Sequence, residues 1–325
     1  MLNDRIQWGM IGAGDVTEVK SGPAFRKVPD SDIVAVMRRD EEKVRDYAER
    51  HAIQRWYTDA DALLADPAVN AVYIATPPHV HLHYVEKSLA AGKMLYVEKP
   101  LALNASEARK MAALLEEYGG KLVVAHYRRA NPYYLKIKEL VQSGVVGKVS
   151  RVQLAIYKEA LRAEELRLPK IQWRLDPAIS GGGLFHDLAP HQIDFLIDLF
   201  GKPMRYSGLS NETISLQPAT RVVGQILFHD DVLFHGIWDF DHSVSLDECS
   251  IFGTHGSIHF SFFGPSLIRV ESNAGVQEFY FEPLQHVQQP MIEQTVQYFL
   301  GKRDNPCTIA DGIACMEVMD AFCGY

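Results

Sequence analysis

Short apolar runs and helical repeats alternate through the first 126 residues. Ile6–Ile11 is an apolar run that stops at Gly12-Ala13-Gly14, and Asp15–Lys27 follows with helical spacing. Ile33–Met37 is a second run, rich in β-branched residues. Glu41–His51 repeats at helical period behind it, with Asp40 placed to cap it. Ala71–Ala75 is a third run, closed by Pro77-Pro78. Val80–Ala91 is amphipathic and ends at Gly92, a residue suited to a helix C-terminus. Met94–Val97 and Leu122–Ala125 are two further buried-type runs. Between them lies a helix whose start carries Asn104 and Glu107 at capping-box spacing. Short apolar strands alternating with longer helices predict βαβ units and a parallel sheet covered on both faces.

After residue 126 the pattern changes. Pro132–Gln142 reads as a helix, Arg151–Tyr157 alternates like a strand, and Lys158–Gly183 carries few periodic signals. A helix is predicted at about Asp187–Phe200. Strand-like runs follow at Val222–Phe228, Val232–Phe240, Ser250–Gly253, Ser257–Phe262, Leu267–Ser272 and Val276–Phe281, with Asp230-Asp231 as a hairpin turn. Consecutive strands on short turns predict an antiparallel sheet. Helices at Val287–Leu300 and Ile309–Phe322 close the chain. The expected organisation is a parallel α/β domain over residues 1–126 and an α+β domain over residues 127–325. With no repeat or low-complexity linker between them, the two are expected to pack closely.

Composition narrows the function classes. The 325 residues are 47% hydrophobic and 23% charged, in the ordinary globular range, which excludes disorder and fibrous repeats. Lys plus Arg number 33 against 41 Asp plus Glu, a formal charge of −8. A nucleic-acid or anionic-membrane partner would need a basic excess. No apolar run reaches the ~18 residues that span a bilayer, and the first residues lack a signal-peptide layout. A soluble, cytoplasmic protein is expected. Cys249, Cys307, Cys315 and Cys323 form no Cys-x-x-Cys pair and read as small buried side chains.

Two constellations carry chemistry. Gly9-Met-Ile-Gly12-Ala-Gly14-Asp15-Val16-Thr17 follows a strand and opens a helix. Gly12 permits a tight turn, and Gly14 lets the backbone approach a pyrophosphate over the helix N-terminus, which Asp15 and Val16 open. The third position of the glycine pattern holds Thr17, larger than the usual Gly or Ala. At the end of the second strand, where NAD-binding chains place an acid for the ribose, stand Arg38 and Arg39. A guanidinium there suits a 2′-phosphate, so NADP is the expected cofactor, with NAD as the alternative. Further on, Glu98-Lys99-Pro100 ends the Met94–Val97 strand, which puts Lys99 at the mouth of such a site. The spacing there fits a solvated lysine as well as a catalytic one. In Gly181-Gly-Gly183…His186-Asp187…His191…Asp194…Asp198, the carboxylates and His191 share one helix face if Asp187 is the N-cap. An imidazole held by a carboxylate suits proton transfer from an alcohol. A polar helix face at a domain boundary fits the same spacing.

Taken together, the glycine turn, the stretch from Thr76-Pro77-Pro78 through His81 to Glu98-Lys99-Pro100, and the Gly181–Asp194 motif resemble the Gfo/Idh/MocA oxidoreductases. This is the group of glucose–fructose oxidoreductase and inositol dehydrogenase. The resemblance implies a Rossmann domain, doubly wound, followed by an α+β domain with a large open, mostly antiparallel sheet often used to pair subunits as a homodimer or homotetramer. It implies a catalytic group at Lys99, Asp187 and His191. It adds Thr76, Pro77, His81 and Glu98 to the cofactor contacts, and places Trp173 and Arg174 near substrate. Arginine after the second strand also occurs in members that use NADP.

Other signals carry less. His79, His81 and His83 have alternating spacing, but Pro77-Pro78 breaks the strand and puts them at a helix start, where i and i+2 diverge. No metal site is expected. Tyr127, Arg128 and Arg129 follow a strand end and face substrate or join the domains; Tyr157 and Lys158 are weaker candidates. The function expected is hydride transfer between NADP(H) and a secondary alcohol or carbonyl of a small sugar, polyol or cyclic diol. In it, Lys99 polarises the oxygen, His191 takes the proton, and Asp187 orients His191 or binds a hydroxyl. The alternatives are a non-catalytic cofactor-binding sensor and an NAD-dependent glycosidase.

Overall fold

Six strands assemble into one all-parallel sheet: β1 (Ile6–Ile11), β2 (Ser31–Met37), β3 (Arg55–Tyr57), β4 (Ala71–Ile74), β5 (Met94–Val97) and β6 (Leu122–Val124). Their order is β3-β2-β1-β4-β5-β6. The computed structural model describes residues 4–211 and 218–324. The described residues form two compact units, one drawn from the chain up to residue 131 together with 284–313, the other from 132–283 and from residue 314 onward.

In the first unit, β1, β2, β4, β5 and β6 sit where the apolar runs predict them. β3 escaped the pattern because its three residues form an edge with two side chains exposed. Trp8, Phe25, Tyr73 and Tyr96 stack through the core, and Phe299 from helix Gln289–Phe299 closes on Trp8 at 5.6 Å between centroids. Asp40 caps helix Glu41–Arg50, accepting from Lys43 N at 3.1 Å, and Asn104 caps helix Ala105–Tyr118, accepting from Glu107 N at 3.0 Å. The helix expected over Asp15–Lys27 runs only from Asp15 to Val19 and gives way to a 3₁₀ turn, Gly22–Arg26. Pro23 lacks the N–H that a continuing helix needs. A side chain at Gly22 would lie 2.1 Å from Thr17 O.

The second unit holds eight strands: β7 (Val149–Glu159), β8 (Arg205–Ser210), β9 (Arg221–Leu227), β10 (Leu233–His242), β11 (Leu246–Gly253), β12 (Gly256–Phe260), β13 (Leu267–Ser272) and β14 (Gly275–Tyr280). They lie in the order β14-β13-β12-β11-β7-β10-β9-β8, and every pairing is antiparallel except β7 with β10. Asp230 and Asp231 adopt positive φ in the turn between β9 and β10, as a tight hairpin requires. One face packs on helices, with Phe195 meeting Phe260 of β12 at 5.9 Å and Phe185 meeting Trp238 of β10 at 5.2 Å. On the other face Leu209, Val223, Leu233 and Ile237 are exposed.

Gly208, Gly224 and Gly236 align across β8, β9 and β10. The fully buried ring of Phe322, from the closing helix Ile309–Cys323, lies against Gly208 and Gly224; a Cβ at Gly224 would come within 2.2 Å of it. Phe322→Ala should destabilise the chain by about 3–5 kcal/mol and Gly224→Ala by about 1–3 kcal/mol. Urea unfolding checks both. The costs should not add, because the alanine at 224 meets no ring once Phe322 is gone. Additive costs contradict the packing.

Candidate active site

In the first unit, strand order reverses between β1 and β4, and such a reversal opens a crevice beyond the carboxyl ends of the strands. Gly12, Arg38, Thr76 and Lys99 follow the ends of β1, β2, β4 and β5. Gly12 adopts φ +100°, and a side chain there would meet Thr76 N and Ala75 C at 2.9 Å. At Gly14 a side chain would meet nothing within 4 Å. The turn is tight at the first glycine and open at the second. Thr17 is fully buried; its hydroxyl donates to Gly14 O at 2.8 Å and accepts from Gly14 N at 3.1 Å. The larger residue therefore caps its own helix. Asp15 and Val16 occupy the first turn, where N–H groups have no intrahelical partner.

Arg38 Nη1 donates to Ala13 O at 2.8 Å, which lays the guanidinium along the glycine turn, while Arg39 is exposed. Thr76 Oγ1 is buried and has no hydrogen-bond partner. His81 is fully buried, with Nε2 2.7 Å from Thr76 O and Nδ1 3.1 Å from Leu101 O. Burial lowers its pKa, against the pull of the carbonyl oxygens that face the two ring nitrogens. His81 thus ties the Thr76-Pro77 turn to the segment that follows Pro100. The Lys99–Pro100 peptide is cis.

Glu98 points inward. Its Oε1 accepts from Tyr73 Oη at 2.5 Å and from Gln288 Nε2 at 2.6 Å, and its Oε2 accepts from Lys99 N at 3.1 Å. Gln288 Oε1 accepts in turn from Tyr96 Oη at 3.1 Å. Burial, followed by the Glu98 charge, pushes the Tyr73 phenol well above its ordinary pKa. Sequence reading missed Tyr73 and Gln288. Gln288 stands 190 positions from Glu98, and no local signal links the two. Tyr127 and Arg128 lie in the 3₁₀ turn Tyr127–Ala130, with the Arg128 guanidinium 5.8 Å from the Tyr127 ring; Arg129 pairs with Asp311 at 3.3 Å.

In the second unit, Asp187 is not a helix cap. It lies inside a helical turn, Gly183–Leu188, and Ala189, itself helical in φ and ψ, leads into helix Pro190–Phe200. Pro190 takes the first helical position, where its missing N–H matters least. Two of the three glycines make room for protein, Gly182 for the His186 ring and Gly183 for Pro218, while Gly181 closes a turn at φ +90°. His191 and Asp194 are buried, and Asp198 pairs with Lys138 at 2.9 Å. Asp187 accepts from Arg174 Nε at 2.9 Å, and the Arg174 guanidinium lies 4.3 Å from the Trp173 ring.

The His191 ring meets Phe263 edge-on, 5.8 Å between centroids at 72°. Asp247 fixes that loop, accepting from the N–H groups of Phe262 and Gly264, each at 2.9 Å, and of Phe263 itself. Lys158, near the end of β7, places Nζ 5.7 Å from the same ring. Phe263 and Asp247 were not singled out from the sequence. The signal available was an aromatic pair running into Gly264-Pro265 at a strand end. Among the described residues, no group of three or more His, Cys, Asp or Glu is placed to hold a metal ion.

A family model described as "Oxidoreductase family, NAD-binding Rossmann fold" matches residues 6–126, and one described as "GFO/IDH/MocA C-terminal domain" matches residues 134–259. Oxidoreductase P35 of Formosa agariphila is 45% identical over 99% of this chain and 100% of its own length. The trans-1,2-dihydrobenzene-1,2-diol dehydrogenase of Oryctolagus cuniculus is 30% identical over 76% of this chain and 71% of its own. Among solved structures, the aldose-aldose oxidoreductase of Caulobacter crescentus, complexed with glycerol, superposes with a TM-score of 0.84. It covers 98% of this chain and 96% of its own at 21% identity, a likeness of fold.

His186 is fully buried against Gly182, and burial lowers its pKa to about 4. Above pH 6.5 the ring is neutral in both folded and unfolded chains. Below it the unfolded chain takes a proton that the folded chain refuses, so stability falls as pH drops from 6.5 toward 4. The loss approaches roughly 3 kcal/mol at the lower end. Urea unfolding of the chain and of His186→Leu across this range checks it: the difference between their pH slopes should vanish above pH 6.5. Parallel slopes throughout contradict it.

Proposed function

The chain belongs to the Gfo/Idh/MocA oxidoreductase family, and from that premise we propose that it interconverts a secondary alcohol and its carbonyl on a sugar, polyol or cyclic diol, with NADP(H) as redox partner. One observation carries the reading. Where the strand order reverses, Thr76 keeps a buried hydroxyl without a partner beside Gly12, which has no room for a side chain, and near Gly14, where the space is open. These residues fit a dinucleotide's pyrophosphate, with the first-turn N–H groups of Asp15 and Val16 as its donors. Arg38 and Arg39 suit a 2′-phosphate, which a planar guanidinium matches.

The bound nicotinamide supplies the hydride acceptor, and the chain supplies position and charge. Glu98 holds the Lys99 backbone at the end of β5. The Lys99 ammonium polarises the substrate oxygen. His191 takes the hydroxyl proton, and Asp187, steadied by Arg174, orients it or binds a neighbouring hydroxyl. Tyr127, Arg128 and Trp173 with Arg174 contact the substrate. Residues 1–126 form the cofactor-binding part and 127–325 the substrate-binding and pairing part. The exposed Leu209, Val223, Leu233 and Ile237 support assembly through the open sheet face as a homodimer or homotetramer. Among the described residues no helix is long and apolar enough to cross a membrane, and we place the protein in the cytoplasm.

Lys99→Ala and His191→Ala should each lower kcat about 10²–10⁴-fold, while NADPH binding measured by fluorescence titration stays close to that of the unaltered chain. Near-normal turnover in both removes the assignment. On the cofactor side, kcat/KM with NADP⁺ should exceed that with NAD⁺, and Arg38→Asp should reverse the ratio. A preference for NAD⁺ in the unaltered chain overturns the choice of cofactor.

A further inference from the structure

We propose that Phe263 is a specificity-determining stacking surface that selects ring-form polyols, pyranoses and cyclitols, over open-chain alditols. The inference rests on the reading of His191 as the proton acceptor and names the substrate class that reading leaves open.

The phenyl group is 39% exposed although it is large and apolar. Its loop is nonetheless held firmly. The Asp247 carboxylate takes three successive backbone N–H groups, from Phe262, Phe263 and Gly264. Tyr134 Oη donates to Phe262 O at 3.1 Å, and Tyr133 Oη donates to Ser261 O at 3.1 Å. A carboxylate and two buried phenols thus fix a loop that exposes one aromatic ring. That ring touches His191 edge-on at 5.8 Å, so a molecule lying on it is brought beside the imidazole.

The chemistry of the ring selects what lies there. An aromatic face is electron-rich and attracts the weakly positive C–H edges of a neighbour. A pyranose or cyclitol presents a rigid patch of such C–H groups on one face, with its hydroxyls pointing outward. An alditol of the same composition presents that patch only after freezing several rotatable bonds, which weakens its binding. The Lys158 ammonium lies over one face of this ring, 5.7 Å from its centroid, which assigns the opposite face to the ligand.

The test compares the full chain with Phe263→Leu and Phe263→Trp, using D-xylose and myo-inositol as ring substrates and xylitol and D-glucitol as open ones, with NADP⁺. The unaltered chain should favour the ring compounds. Phe263→Leu should raise KM for them about tenfold with a smaller change in kcat, should alter the alditols less than threefold, and should leave the pH dependence of turnover in place. Phe263→Trp should restore the low KM. A loss shared equally by rings and alditols, or no loss, overturns the assignment. A second arm does not depend on turnover. With NADPH-loaded protein, saturation-transfer NMR should pass magnetisation from the aromatic protons to the ring C–H protons of myo-inositol, and Phe263→Leu should abolish it. Undiminished transfer in Phe263→Leu overturns the stacking role. Absence of turnover on all four compounds together with normal transfer counts against the oxidoreductase reading and for the stacking surface.

Discussion

A carboxylate removed from water must find hydrogen-bond donors where it lies, and Glu98 finds three that come from distant parts of the chain. Tyr73 reaches it from the neighbouring strand β4. Gln288 reaches it from the segment that rejoins the first unit after the second has been built. The third donor is the backbone N–H of Lys99, the next residue along. The contact with Lys99 N fixes the course of the chain as it leaves β5, and with it the root of the side chain to which we assign the polarising charge. The same contacts join the sheet to the returning segment. Packing of the first unit and placement of the Lys99 backbone therefore meet at one buried carboxylate.

The second unit solves a comparable problem with different materials. Gly208 and Gly224, paired across β8 and β9, clear room for Phe322, which seats the closing helix on the sheet. Gly182 and Gly183 clear room for His186 and Pro218, so the approach to helix Pro190–Phe200 is close-packed. His191 stands in the first turn of that helix. Its neighbours are set by packing from one side and by the Asp247-anchored loop from the other. The polar groups of this unit are placed by a rigid scaffold, which is what proton transfer at a defined atom requires.

Much of the fold was legible because burial leaves a plain mark on sequence. Strands covered on both faces read as apolar runs, and β1, β2, β4, β5 and β6 lie where those runs are. β3 left no such mark, since Arg55 and Trp56 are exposed on an edge. Local patterns misled where a single residue overrode the period. Gly22 and Pro23 cut short the helix after the glycine turn, and Pro190 restarts a helical path that had already begun at Gly183, which removes Asp187 from the capping position. Of the site, the residues that follow strand ends were legible, because strand ends are where an α/β sheet presents side chains. The inward turn of Glu98, its link to Gln288, and the meeting of His191 with Phe263 were not. Each depends on contacts between segments remote in sequence, and hydrophobic period carries no information about them.

The central claim is that this chain moves a hydride between a carbinol carbon and a nicotinamide. The most direct measurement supplies NADP⁺ with a polyol deuterated at its carbinol carbons and follows the label by mass spectrometry of the cofactor. The account predicts one deuterium on each molecule of cofactor reduced, with the rate of labelling falling in step with turnover when Lys99 or His191 is replaced. Reduced cofactor without deuterium, or labelling that proceeds unchanged in both variants, would contradict it.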